Sequence, residues 1–248
     1  MSDNTILEQM IRKLRTRGDL DEEDCSAIRA LNPVRRVYEA PAYILREGEP
    51  PRRTCSFVIS GLAFRQKLAA NGARQIVSIH IAGDFLDLQH LFLHTADHSA
   101  QALTLLECAE IDRDALQQIV MERPAIARAM WVDALVEGSI FREWILNIGR
   151  RDARTRVAHL LCEFALRMEA AGIAEHHRYD LPMTQEQIGD AVGLTPVHVN
   201  RTLRALAADG LIRREKRHIS FASWEAIRNV ADFSALYLHL DQASSRED

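Results

Sequence analysis

Residues 183–212, MTQEQIGDAVGLTPVHVNRTLRALAADGLI, constrain the fold more than any other stretch. Thr184, followed three residues later by Gln187, has the spacing of a reciprocal capping pair, so a helix starts there. Ile188, Ala191 and Val192 supply its inner face, and Gly193 ends it in a tight turn. Thr195 is placed to cap a second helix whose first residue is Pro196, where a missing N–H costs nothing. Val199, Leu203 and Leu206 form the inner stripe of that helix, which is expected to reach Asp209 and stop at Gly210. Val197, His198, Asn200, Arg201 and Arg204 are left on outer faces. Two short helices around a glycine turn, the second polar and basic over its N-terminal half, make the arrangement that enters a DNA major groove. The following RREKRHISF reads as a basic β-hairpin, a wing.

The residues expected to meet DNA divide by chemistry. The Arg201 guanidinium can donate to guanine O6 and N7 together, worth roughly 1–3 kcal/mol of discrimination. Asn200 suits adenine or a phosphate, and Val197 a thymine methyl group. Thr184, Gln187 and Thr195 lie at helix N-termini, which favour phosphates. His198 and Arg204 complete the outer face, and Lys216 and Arg217 sit in the wing, where phosphates are the expected partners. The net charge of −4 conceals an asymmetry that fits a polyanion partner. Residues 150–221 hold 12 Lys/Arg against 9 Asp/Glu, and the rest holds 19 against 26.

The chain before this stretch changes period twice. Ile6, Leu7, Met10, Ile11 and Leu14 recur at helical spacing, and a second helix is expected over Asp21–Leu31. From Pro33 to Ala109 the period changes to short strands that alternate with turn residues: Val34–Tyr38, Ala42–Leu45, Cys55–Ile59, Leu62–Leu68, Gln75–Ile81, Gln101–Leu105 and Cys108–Ile111. Asn71-Gly72 between two of them predicts a hairpin, and the series implies a small sandwich or barrel. Pro124 then opens a long helix to about Ile148 with apolar residues on more than one side, so it must be covered on more than one side. Its own domain can cover one face and a second copy the other; Met130, Ile140, Trp144 and Ile148 are the expected dimer contacts. Gly149–Asp152 reads as a hinge, Asp152 as the cap of a helix to about Met168, and AAGIAEHHRYD as a loop. Ser223 can cap a C-terminal helix that packs on the winged domain, and the end DQASSRED reads as loose.

With 47% hydrophobic and 27% charged residues the chain can build packed cores. It has no membrane-length apolar run, and its N-terminus lacks the apolar core of a signal peptide, so a cytoplasmic location and no membrane partner are expected. Cys25, Cys55, Cys108 and Cys162 are widely spaced, unlike metal ligands. His90, His94 and His98 have i, i+4, i+8 spacing near His80, but Thr95-Ala96-Asp97 reads as a loop that breaks the shared face, so ordinary polar positions are favoured over a metal site. No cofactor is expected.

ILREGEP, VISGLAF, IHIAGDF, the long helix and TQEQIGDAVGLTPVHVNRTLRAL follow one another as in the Crp/Fnr superfamily, which the chain resembles over nearly its whole length. The resemblance implies an α+β chain: an N-terminal β-roll of the double-stranded β-helix or jelly-roll type, a long dimerisation helix and a C-terminal winged helix-turn-helix. It implies helices over 1–32, the roll over 33–123, the dimerisation helix over 124–149, the DNA-binding domain over 150–222 and a tail over 223–248. It also implies a homodimer on a pseudo-palindromic operator, with RNA polymerase as a further partner. In cyclic-AMP-binding relatives a glutamate holds the ribose and an Arg-Ser pair the phosphate; here Leu88, His98 and Ser99 stand at those places, and Phe141-Arg142 where a Thr-Ser pair meets adenine. These positions mark the expected effector pocket, and cyclic AMP is not expected to fill it. Residues 1–30 offer only Cys25 toward an iron–sulfur cluster. At the recognition helix, Val197 and His198 replace the usual glutamate, and Arg201 keeps the base-contacting arginine. Two other classes fit less well. A cupin-like enzyme needs a His-x-His pair that IHIAGDF lacks, and no nucleophile–base pair is visible. A nucleotide sensor without DNA binding leaves the helix-turn-helix unexplained.

Overall fold

The computed structural model describes residues 3–240. They pack into two compact units, one built from residues 3–67, 78–137 and 240, the other from 68–77 and 138–239. Among the described residues no helix is long and apolar enough to cross a membrane.

The first unit opens with α1 (Asp3–Arg15), whose Ile6, Leu7, Met10, Ile11 and Leu14 are all buried. α2 (Glu22–Arg29) starts at a reciprocal cap: the Asp21 carboxylate accepts from the Asp24 N–H at 2.8 Å and Asp24 accepts from the Asp21 N–H at 3.2 Å. Seven strands follow: β1 (Val34–Tyr38), β2 (Tyr43–Leu45), β3 (Thr54–Ser60), β4 (Ala63–Leu68), β5 (Arg74–His80), β6 (Ser99–Ala102) and β7 (Leu106–Asp112). Only β6 is displaced from its expected run; residues 103–105 bend instead. One antiparallel sheet has the order β1-β7-β3, and a second has β2-β6-β4-β5. β3 is covered on both sides, which explains its apolar run. Cys55, Phe57 and Ile59 join the core of the helices, while Val58 joins Tyr38, Leu45, Ala63, Leu86 and Leu106 in the interior of the roll. The hairpin at Asn71-Gly72 forms, though with a three-residue loop: the Ala69 N–H donates to the Ala73 carbonyl at 2.8 Å, Gly72 has φ 82° and the Asn71 side chain accepts from the Ala73 N–H.

An unexpected helix, α3 (Arg113–Glu122), follows β7. Asp112 caps it by accepting from the Ala115 N–H at 2.9 Å, and it buries Leu116 and Val120. α4 is one helix of 27 residues, Pro124–Arg150, so the expected hinge shrinks to Arg151-Asp152. Two of the expected dimer contacts are turned inward. Met130 lies in the core shared with α1 and α2, and Trp144 is buried with its indole N–H donating to Glu163 at 2.9 Å. Ile140 and Ile148 are half-buried. Helical period groups residues by face, but it does not say which face the chain itself will cover. The apolar residues left outside are Trp131, Leu135 and Ile145, 60–71% exposed, with Leu146 beside them.

In the second unit Asp152 caps α5 (Ala153–Ala170) by accepting from the Thr155 N–H at 2.8 Å. The segment read as a loop ends in a two-residue strand, β8 (Tyr179–Asp180). α6 (Gln185–Val192), α7 (Pro196–Ala208), β9 (Ile212–Glu215), β10 (His218–Phe221) and α8 (Trp224–Ala231) complete it, with a sheet ordered β8-β10-β9. Ser223 caps α8, and the tail is tied to α5 where the Tyr237 hydroxyl donates to Glu163 at 2.8 Å. The DQASSRED end lies outside the described residues.

Candidate nucleic-acid interface

The two helices of the motif form as their caps require. The Thr184 hydroxyl accepts from the Gln187 N–H at 3.1 Å, and the Gln187 side chain accepts from the Thr184 N–H at 2.9 Å. Gly193 takes the left-handed conformation (φ 67°) that stops α6. The Leu194 carbonyl then passes so close to Gly189 that a Cβ there would stand 2.4 Å from it, so a side chain at 189 would force the helices apart. Thr195 caps α7 by accepting from the His198 N–H at 3.3 Å, with Pro196 in the first turn. Val199, Thr202, Leu203 and Leu206 are buried beneath it.

What remains outward is a polar and cationic surface. Val197, Arg201 and Arg204 are exposed, and His198 and Asn200 half-buried. Thr184 and Thr195 are exposed at the two helix starts, with Gln187 half-buried and engaged in the cap. Lys216 and Arg217 lie at the turn between β9 and β10, both exposed, and the Arg217 carbonyl accepts from the Leu181 N–H at 2.8 Å. Among the described residues none of Arg201, Arg204, Lys216 and Arg217 is paired with a carboxylate, in contrast to Arg154, which pairs with Asp209. Exposed, unneutralised guanidinium and ammonium groups beside helix N-termini attract phosphate. Arg213, Arg214 and His218, not among the expected contacts, are exposed on the same wing.

Leu88, on the turn Leu88–Leu91, packs against the core of α1 and α2. The side chain that enters the roll interior from this turn is its neighbour Asp87, fully buried and accepting from the Ser56 N–H at 2.7 Å. Ser56 Oγ also lies 3.1 Å from Glu110, which accepts from the Tyr38 hydroxyl at 2.7 Å and pairs with Arg52 at 2.9 Å. Burial, with Glu110 adding to it, pushes the Asp87 carboxyl up to about 7. Arg65 is buried too, donating to the Leu86 carbonyl at 3.0 Å and paired with Glu137. His98 stands 2.7 Å from Asp97, and Ser99 Oγ accepts from the Glu47 N–H at 3.0 Å. Phe141 is half-buried on α4, and Arg142 is exposed, donating to Ser139 at 2.7 Å.

His90 is buried on the 3-10 turn Leu88–Leu91 and His94 is exposed beyond its end, and among the described residues no group of three or more His, Cys, Asp or Glu could hold a metal ion. All four cysteines are free and buried, and burial raises the thiol pKa of Cys55, Cys108 and Cys162, which makes them poor nucleophiles.

Residues 155–230 match the Crp-like helix-turn-helix domain, and residues 35–123 match the cyclic nucleotide-binding domain. A probable transcriptional activator of Rhizobium leguminosarum bv. viciae is 34% identical over 195 residues, covering 77% of this chain and 80% of that protein. The transcriptional activator protein FnrL of Cereibacter sphaeroides is 30% identical over 217 residues, 86% of this chain and 82% of that one. Among solved structures, FixK2 from Bradyrhizobium japonicum superposes with a TM-score of 0.75 at 27% identity, over 83% of this chain and all of that one. Capped helices, exposed cations, roll and relatives agree: the chain belongs to the Crp/Fnr family of DNA-binding transcription regulators.

Proposed function

We propose that the protein acts as a homodimer on a pseudo-palindromic operator, with α4 as the seam. The observation that carries this is the exposed stripe Trp131, Leu135, Ile145 and Leu146, four large apolar side chains along one helix. A second copy laid along the stripe buries it and sets two α7 helices about 34 Å apart, one helical turn of DNA. On this reading the roll spans 33–123, the dimerisation helix 124–149, the DNA-binding domain 150–222 and the tail 223–248. The protein works in the cytoplasm, meets RNA polymerase at the promoter and carries out no catalysis of its own. Leu135→Glu combined with Ile145→Glu tests the seam. Light scattering should show monomers, and operator binding in a gel shift should fall by two orders of magnitude or more, on the order of the loss of one half-site. A variant that remains dimeric sinks the α4 seam.

Cyclic AMP is not the effector on this reading. The roll cations Arg52 and Arg65 are held by Glu110 and Glu137, and Leu88 and His98 replace the groups that would hold ribose and phosphate. Calorimetry should find no micromolar cyclic-AMP site, and finding one would reverse this assignment.

A further inference from the structure

The last four carbonyls of a helix have no partner within it and must find one elsewhere. For α6 each partner is identifiable. Gly189 O accepts from the Leu194 N–H at 3.0 Å, and Val192 O from Arg156 Nη1 at 3.3 Å. Asp190 O and Ala191 O accept from a residue outside the helix-turn-helix altogether: Gln75 Nε2, at 2.7 and 3.3 Å. The neighbouring residue holds the same spot by charge, since the Arg74 guanidinium pairs with the Asp190 carboxylate at 2.7 Å. Both partners of that pair are partly buried, 26% and 21% exposed, so it is shielded more than an ordinary surface pair. Arg74 and Gln75 open β5, at the tip of the β4–β5 hairpin, and residues 68–77 pack in the same compact unit as the DNA-binding helices.

We propose that Arg74 and Gln75 are positioning residues for DNA reading, gripping the C-terminal end of α6 and thereby fixing the Gly193 turn and the pose of α7. Gly189 and Leu194 lie in close contact across that turn, so a rotation of the α6 end is passed to α7 rather than absorbed. The grip acts on specific recognition, which requires one pose, and not on general attraction to phosphate, which tolerates many.

The experiment uses the full chain and fluorescence anisotropy on operator and random DNA over a salt series. Arg74→Ala with Gln75→Ala should weaken operator binding by about tenfold, the loss expected for a charge-assisted pair and a capping bond together. Random-DNA affinity and the salt slope should not change. The swapped pair Arg74→Asp with Asp190→Arg should recover most of the operator affinity that Arg74→Asp alone loses. Unchanged operator affinity in the double variant overturns the proposal. So does an equal loss on both DNAs with a shallower salt slope and no recovery in the swap, which would make Arg74 a phosphate contact.

Discussion

The reading surface and the roll interior treat their cations in opposite ways. On α7 and the wing, Arg201, Arg204, Lys216 and Arg217 face solvent with no carboxylate partner among the described residues. In the roll, the half-buried Arg52 and the buried Arg65 are each committed to a carboxylate of the same chain. An unpaired cation on a surface is inexpensive and available to a polyanion; an unpaired cation in an interior is not tolerated. The first region is therefore built to bind and the second to hold itself together, and the contrast can be tested from both sides.

The largest effect should come from breaking the interior. Glu110→Ala removes the carboxylate shared by the buried Ser56 and Tyr38 hydroxyls and the half-buried Arg52, and should cost up to roughly 3–5 kcal/mol of stability, read as a lower urea midpoint, while base preference stays the same. A change in operator preference would mean that the two regions are not separable. The interior should also leave a pH signature. Asp87 holds its proton up to about pH 7 when folded, whereas its ordinary value is 3.8. Between those values the unfolded chain has released the proton and the folded chain retains it, so stability from this group is full at acid pH and declines as pH rises through 7. The slope is at most about 1.4 kcal/mol per pH unit. Asp87→Asn should flatten the urea-midpoint profile across that window; a profile as steep as the parent's would show that Asp87 does not hold the proton.

On the reading surface the effects are smaller and of a different kind. Arg201→Ala should lose roughly 1–3 kcal/mol on the operator and relax preference at one base pair per half-site. Equal loss on random DNA would make Arg201 a phosphate contact. Lys216→Ala should weaken all sequences alike and make the salt dependence shallower by about one unit of slope per subunit contact, the smallest change of the set. A loss confined to the operator would place Lys216 in base reading.

The parts that were legible in advance are those whose signals are local. Thr184 and Gln187 reach each other within one turn, Pro196 and Thr195 act on adjacent residues, and Asp152 and Ser223 cap the helices that follow them. The seven strands were legible because turn residues punctuate them. Helix α3 escaped because it buries little more than Leu116 and Val120, too short a pattern to stand out. Strand β8 escaped because two residues become a strand only when β10 is beside them.

By itself, then, the sequence determined the winged helix-turn-helix, its outward residues and the order of the domains, since capping and periodicity operate over three or four residues. Only the tertiary structure decided which apolar faces the chain would keep for itself. Trp144 meets Glu163, 19 residues on, and Met130 meets α1, so the exposed stripe of α4 runs through Trp131, Leu135 and Ile145 instead. It likewise decided that Asp87 rather than Leu88 enters the roll, and that Gln75 supports a helix more than a hundred residues away. Such pairings are set by the packing of distant segments, where burial and the satisfaction of polar groups select among partners that local pattern cannot distinguish.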